Sequence, residues 1–137
     1  MGLIELAQET PEVAPDTTVL DAVTAMTTHR IGAIAVTDGG KTDRRIVGIF
    51  TERDLMRRVV FEGRDPRTTI MRDVMTSPVR TVSNNTSVAE AVTLMRTYHI
   101  RHLVILGDDG GLLGIVAQRY LLYDLMDVFR SRLRRSR

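Results

Sequence analysis

The sequence predicts an α+β fold in which two β-α-β-β-α motifs pack together as a pseudo-two-fold pair. The first observation is an internal repeat, since the pattern of residues 13–23 returns at residues 82–92. The second is that each half contains a helix-type apolar period followed by strand-type apolar runs. The third is size, because half of a 137-residue chain is too small for a comfortable core. Two copies side by side can bury each other's sheet faces, which leaves two equivalent clefts.

The first half begins with short elements. Residues 3–8 are typical of a short amphipathic turn or helix, and residues 10–15 are extended because two prolines oppose helix formation. Asp16, Thr17 and Thr18 supply N-cap chemistry for a helix over about residues 18–29, whose apolar positions recur at helical spacing.

Two strands and a second helix complete this half. Residues 34–36 are a buried strand, residues 38–43 a polar turn and residues 45–50 the returning strand. A helix runs from about residue 52 to residue 61. A linker then contains Gly63 and Pro66, and a short helix near residues 70–75 leads into the second copy.

The second half repeats the order strand, helix, strand, strand, helix. Residues 103–105 match the first buried strand at an offset of 69, and residues 112–116 match the returning strand at an offset of 66. The hairpin turn over residues 107–111 is therefore three residues shorter. The expected organisation is a lead segment, a first motif, a linker with a short helix, a second motif and a basic tail (residues 1–9, 10–62, 63–75, 76–127 and 128–137).

Composition restricts the class of protein. Apolar residues at 43% and charged residues at 26% are globular values, so a disordered chain is not expected. There is no cysteine, which excludes disulfides and thiolate chemistry. No apolar run approaches the roughly 20 residues of a membrane helix, and the start is too short and too acidic for a signal peptide. We therefore expect a cytoplasmic protein without a membrane partner.

Basic residues are concentrated at the end of the chain. The net charge is only +2, but five of the last eight residues are arginines. Such a tail either contacts nucleic acid or acidic lipid, or is a solvated end.

Residues 46–55 change from strand to helix at Thr51. Its hydroxyl and the carboxylate of Asp54 meet the N–H groups of a helix start, where the field favours anions. One interpretation is a site for a phosphorylated ribose, with Thr51 toward phosphate and Asp54 accepting from the sugar diol. The other is a capping box that only closes the helix end.

Three segments carry a family resemblance: Gly-Ile-Phe-Thr-Glu-Arg-Asp at 48–54, Val-Met-Thr-Ser-Pro-Val at 74–79 and Ile-Arg-His-Leu-Val at 100–104. They resemble the cystathionine-β-synthase-type (CBS) domain family, and the chain resembles a small stand-alone tandem pair of the bacterial type, a Bateman module. The resemblance implies a sensor that binds AMP, ADP, ATP, S-adenosylmethionine or NAD(H) between the repeats. It also implies a homodimer whose regulated effector is a separate polypeptide.

The resemblance also implies binding residues for a first cleft. Asp54 holds the ribose, Thr51 lies on the phosphate side, and Arg53 points either to phosphate or to solvent. The other implied residues contact the adenine, line the cleft or reach a phosphate: Thr10, Pro11 and Val13, then Gly32, Ala33 and Ile34, then Ile49, and finally Arg101 and His102. The alternative interpretation of Arg101 is a surface salt bridge. The alternative interpretation of His102 is a core histidine bonded to a carbonyl.

The second motif departs from this pattern. It has Ala117-Gln118-Arg119-Tyr120 where the first has Thr51-Glu52-Arg53-Asp54, so the hydroxyl cap and the ribose carboxylate are both missing. We expect this second cleft to bind weakly or stay empty. Its implied lining residues are Thr76, Ser77, Val79, Ile115 and Arg119.

The sequence contains no constellation typical of an enzyme. It has no nucleophile elbow, Walker loop or zinc-protease motif, and its three histidines lack the acidic neighbours of a metal site. We therefore expect a binding module without catalytic residues or metal. The alternative is a CBS scaffold or interaction protein without a ligand, which contacts nucleic acid through its arginine tail.

Overall fold

Two three-stranded sheets face each other across the centre of the molecule. The computed structural model describes residues 2–38 and 45–135. The strands are β1 (Glu12–Val13), β2 (Ala33–Thr37), β3 (Ile46–Thr51), β4 (Thr81–Ser83), β5 (His102–Leu106) and β6 (Leu112–Ala117). The helices are α1 (Leu3–Leu6), α2 (Val19–His29), α3 (Glu52–Asp54), α4 (Met71–Val74), α5 (Val88–Tyr98) and α6 (Gln118–Arg135), with a π-helical segment (Leu55–Val60) after α3. The polar turn predicted over residues 38–43 falls, apart from Asp38, outside the described residues.

Both sheets have the same topology, which confirms the α+β pair of repeats. The strand orders are β1-β2-β3 and β4-β5-β6, with a parallel first pair and an antiparallel second pair in each. Even an irregularity recurs, because the register shifts between Val36 and Thr37 in one sheet and between Ile105 and Leu106 in the other. The two halves are therefore copies of one structural unit.

Alternation along the strands divides the core into three parts. In β2, Ile34 and Val36 pack with α2 in a first core, whereas Ala33 and Ala35 face the other sheet. The layer between the sheets contains small and branched side chains from both halves: Ala33, Ala35, Ile49, Val104, Leu112 and Ile115. The expected mutual burial of sheet faces is thus present.

The lead segment belongs to the second half of the molecule. Leu3 of α1 is fully buried in the core of the second repeat. Gln8 then forms two backbone hydrogen bonds with Ile115 of β6, of 2.9 and 3.2 Å. The chain therefore starts in one repeat and crosses to the other.

The linker makes the mirrored crossing. Met71 and Val74 of α4 are fully buried in the core of the first repeat. Thr76 then forms two backbone hydrogen bonds with Ile49 of β3, of 3.0 and 2.8 Å. Each repeat is thus completed by the segment that precedes the other one.

The helices after β3 and β6 differ from each other. A continuous α-helix was expected to residue 61, but the backbone is α-helical only to Asp54 and π-helical from Leu55, with Val59 buried in the first core. Residues 128–135, expected as a separate basic tail, continue α6. Within the described residues, no helix is both long enough and apolar enough to cross a bilayer.

Two glycines provide a matched test of these crossings. A Cβ on Gly114 would lie 2.9 Å from the backbone oxygen of Gln8, whereas a Cβ on Gly48 would meet mainly the side chain of Met75, including its sulfur. A backbone bridge cannot move aside as a methionine side chain can. We expect Gly114→Ala to lower the free energy of unfolding by about 1–3 kcal/mol and Gly48→Ala by less. Urea unfolding of both variants measures this, and equal losses would contradict the crossing geometry.

Candidate functional site

A cavity of about 1010 Å³ opens beside the start of α3, between the two repeats. A volume at the upper end of the usual range for ligand pockets can hold a nucleotide. Its walls come from the β3–α3 junction of the first repeat and from the β4 approach, α5 and β5 of the second. Seven of the predicted first-cleft residues line it: Gly32, Ile49, Thr51, Arg53, Asp54, Arg101 and His102.

The β3–α3 junction is a complete capping box. The Thr51 hydroxyl accepts from the Asp54 N–H at 3.2 Å, and Asp54 Oδ2 accepts from the Thr51 N–H at 3.0 Å. The capping interpretation is therefore correct for these two residues. It does not remove the other interpretation, because the carboxylate also lies in the cavity wall.

The carboxylate of Asp54 is buried, with 6% of the residue exposed. Besides the bond to the Thr51 backbone, its partners are the hydroxyls of Thr51 and Thr76, at 3.2 and 3.0 Å. The Arg58 Nε lies 3.6 Å from Oδ1. A carboxylate has about four lone-pair positions, so roughly one acceptor position is left for a ligand, and the threonine hydroxyls can rotate. The group is thus held in place without being saturated.

Basic side chains surround the opening of the cavity. Arg53 Nη1 donates to the carbonyl of His99 at 2.9 Å, which links α3 to the C-terminal end of α5. The guanidinium of Arg80 stacks on the Tyr98 ring, with Cζ 3.3 Å from the ring centre. Arg101 lies just before β5. These positions favour an anionic ligand.

His102 is uncharged near neutral pH. Its burial, followed by the positive charges of Arg119, Arg101 and Arg53, lowers the pKa of His102 from 6.5 to about 4. The side chain therefore acts as a neutral wall residue surrounded by arginines. The arginines act on it from three places: the first turn of α6, the residue before β5, and α3.

The sequence of each repeat matches the CBS domain family, over residues 6–60 and 71–127. The chain belongs to the CBS domain family. It is 38% identical over 104 residues to a mitochondrial CBS domain-containing protein of Arabidopsis thaliana, covering 74% of this chain and 50% of that protein. This chain spans about half the length of the first curated relatives it matches.

Solved structures of CBS domain proteins have the same fold. A protein with CBS domains from Burkholderia ambifaria has a TM-score of 0.83 and 30% identity, covering 93% of this chain and 95% of that chain. A CBS domain protein from Pyrobaculum aerophilum, complexed with AMP, has a TM-score of 0.77 and 25% identity, covering 93% and 99% of the two chains. The tandem CBS pair is therefore the fold of this chain.

The crossing of segments redistributes the predicted residues between the clefts of the CBS pair. Thr76 and Val79, assigned to the second cleft from the sequence, lie at the Asp54 cavity instead. Thr10, Pro11 and Val13 are not among its lining residues. The reason is that β1 lies at the edge of its sheet away from β3, so the segment before α2 is remote from the α3 start.

Two further residues predicted for this cleft, Ala33 and Ile34, do not line the cavity, and neither do Ser77 and Ile115, which were predicted for the second cleft. Ala33 and Ile34 are buried between the sheets and in the first core. The Ser77 hydroxyl donates to the Val47 carbonyl at 2.9 Å. Ile115 and Ile49 occupy equivalent positions in their strands. Both are buried in the layer between the sheets.

The cavity also contains residues that the sequence did not suggest. They line it from α3 and the π-helical segment, from the approach to β4, and from α5 to β5: Glu52, Met56, Arg57, Pro78, Arg80, Thr81, Leu94, Tyr98, Ile100 and Leu103. The internal repeat could have predicted these residues if the segments before the two repeats had been known to cross to the opposite repeat. Among described residues, no three His, Asp or Glu side chains group as metal ligands.

At the second CBS motif, Tyr120 occupies the position of Asp54. Its hydroxyl accepts from Gln8 Nε2 at 2.8 Å. Gln8 and Thr76 are structural equivalents, because each forms a backbone bridge to the third strand of the repeat that its segment completes. The Thr76–Asp54 contact of one cleft is therefore replaced by an amide–phenol contact in the other. The exposed Arg119 lies over the Tyr120 ring, 5.1 Å from its centre.

Proposed function

We propose that this chain is a regulatory module that binds an adenine nucleotide in the cavity beside Asp54. The observation that carries the proposal is the buried Asp54 carboxylate, oriented by Thr51 and Thr76, in a cavity with basic side chains at its opening. A fixed carboxylate suits the vicinal hydroxyls of a ribose, and guanidinium groups suit phosphate. The AMP complex of the Pyrobaculum CBS protein supports the same ligand class.

The ligand would connect the two repeats. Thr51 and Asp54 belong to the first, while Arg101 and Tyr98 at the opposite wall belong to the second. Binding would therefore favour one relative orientation of the repeats, which a separate effector protein can recognise.

Titration calorimetry and thermal unfolding with AMP, ADP, ATP, S-adenosylmethionine and NADH test this function. A ligand at 100 times its Kd is expected to add about 2.7 kcal/mol to the free energy of unfolding. If none of the five binds, the nucleotide proposal fails and the scaffold interpretation replaces it. Steep loss of DNA or RNA affinity on removal of residues 130–137 would then assign the function to the basic end of α6.

We expect one nucleotide per chain. Tyr120 is bonded to Gln8 where the other cleft has a carboxylate, so the second cleft lacks an acceptor for the ribose diol. Calorimetry should give a stoichiometry of one, and Tyr120→Phe, which removes only the phenol oxygen, should leave it unchanged. Two equivalents bound to the wild-type chain would contradict the assignment of the ligand to Asp54 alone.

We also propose a homodimer formed through the last helices of the two motifs. Met56 and Val60 are 58% and 68% exposed, and their counterparts 66 positions later, Leu122 and Met126, are each 50% exposed. Two equivalent apolar faces on one molecule suit a two-fold partner that has the same pair. Met126→Glu should give a monomer in sedimentation velocity, whereas Leu113→Glu, at an exposed leucine of β6, should not. Equal behaviour of both variants would reject this interface.

A further inference from the structure

Arginines form most of the charged lining of the Asp54 cavity. Four of them line it: Arg53, Arg57, Arg80 and Arg101. The carboxylates among the lining residues are Glu52 and Asp54. Since a nucleotide monophosphate needs only one or two such groups, the number of arginines carries information about the ligand.

The cavity arginines have no acidic partners in the described part of the chain. The ion pairs found there within 4 Å are Arg58–Asp54 and Arg67–Asp65, and neither includes a cavity arginine. Arg53 donates to a carbonyl, at His99, and Arg80 stacks on a ring. Among the described residues, the cavity arginines are therefore not held in ion pairs.

The Asp54 charge does not neutralise these arginines either. The carboxylate accepts hydrogen bonds from Thr51 and Thr76 and lies 3.6 Å from Arg58, which is not a lining residue. The side chain of Glu52 lies against Gly32, where its carboxyl carbon is 3.3 Å from the position of a Cβ. Both carboxylates are thus directed to the first-repeat wall rather than toward the arginines of the second repeat.

The arginines approach from separate elements. Arg53 and Arg57 are four positions apart after β3, Arg80 immediately precedes β4, and Arg101 immediately precedes β5. One phosphate group has three terminal oxygens, and a single bidentate guanidinium uses two of them. Because the four side chains start from different parts of the fold, a chain of phosphates offers oxygens to more of them than a single phosphate does.

We propose that this cavity selects nucleotides with two or three phosphates over the monophosphate. The inference rests on the proposed function, because it concerns the same cavity and the same ribose contact. Asp54 holds the ribose, and the phosphate chain extends from the Thr51 side toward Arg80 and Arg101 of the second repeat. Burial, followed by the charges of Arg119, Arg101 and Arg53, lowers the pKa of His102 to about 4, so the positive charge of the cavity comes from its arginines.

Calorimetry with AMP, ADP and ATP at constant ionic strength, without divalent cations, tests the selection. ATP is expected to bind at least tenfold more tightly than AMP, a difference of about 1.4 kcal/mol. The ATP affinity should also fall more steeply with added salt, because more charge is neutralised on binding. Inorganic triphosphate, which lacks the nucleoside, should compete with ATP for the arginines of this cavity.

Single substitutions identify the groups responsible. Arg80→Gln and Arg57→Gln should each lower the affinity for ATP by a factor at least fivefold larger than the factor by which they lower the affinity for AMP. Arg72→Gln is the matched control, since Arg72 is exposed on α4 and does not line the cavity. AMP binding as tight as ATP binding overturns this inference and leaves the proposed function intact. Failure of all three nucleotides to bind rejects the proposed function and, with it, this inference.

Discussion

Asp54→Asn is expected to weaken AMP-type nucleotide binding by about tenfold to a hundredfold, since hydrogen bonds to charged groups contribute about 1.5–3 kcal/mol. The amide keeps the shape of the side chain but removes the negative charge that accepts from the ribose hydroxyls. At a ligand concentration that stabilises the wild-type chain by about 2.7 kcal/mol, the variant should gain only a small fraction of this. Calorimetry with matched protein and nucleotide concentrations measures both quantities.

The same substitution affects the fold, so a second comparison is needed. Asp54 accepts hydrogen bonds from the Thr51 N–H and from two threonine hydroxyls. The new amide N–H groups would be donors facing these donors, which should lower the free energy of unfolding by about 1–3 kcal/mol. The 2′-deoxy nucleotide removes the ligand's side of the contact without any change to the protein. If Asp54 binds the diol, the deoxy ligand should bind the variant and the wild type nearly equally, because the two losses do not add.

Asp73→Asn provides the control for a general charge effect. Asp73 is an exposed carboxylate on α4, which packs against the first repeat. Its substitution by Asn removes one negative charge, as Asp54→Asn does. Its variant should bind like the wild type. Full additivity of the Asp54 and deoxy effects would show that the carboxylate acts only as a helix cap, and the nucleotide would then need another ribose contact.

Leu3→Ala is expected to lower the free energy of unfolding by about 2–5 kcal/mol, as other large-to-small core substitutions do. Leu3 is fully buried in the second repeat's core although it lies near the start of the chain. Its neighbour Ile4 is 39% exposed, so Ile4→Ala should change stability by only about 0.5 kcal/mol. Urea unfolding with an unchanged m value measures both variants.

The Leu3 and Ile4 pair tests the crossing rather than hydrophobicity in general. Both side chains are aliphatic and adjacent, and they differ in whether they face the second core. Similar small losses for the two variants would mean that the lead segment detaches readily from β6. The Gln8–Ile115 bridge would then contribute little to the stability of the second repeat.

Local chemistry explains why so many elements were predictable. The α2 helix begins after Thr18, whose side chain accepts from the Asp21 N–H at 3.2 Å, and Thr51 caps α3 in the same way. Such caps depend on residues three apart, which the sequence displays directly. Strand alternation is an equally local signal, and the repeat can be recognised by comparing the two halves of the sequence.

The composition of the cavity was only partly predictable. Thr51, Asp54 and Arg101 are recognisable from short motifs, and all three line the cavity. Arg80 and Tyr98 carry no motif, and they reach the cavity because the second repeat packs against the first. The π-helical segment after Asp54 also had no local signal that we identified.

From the order of the residues one can predict two equivalent units, the approximate positions of their helices and strands, and a carboxylate at only one of the two helix starts. The tertiary structure alone decided which flanking segment completes which unit. A periodic sequence contains the pattern of each copy but not the path between copies, since that path depends on contacts between residues far apart in the chain. Thus Leu3 joins the second core and Thr76 joins Asp54, because each segment buries more apolar surface and pairs its backbone only after crossing to the opposite repeat.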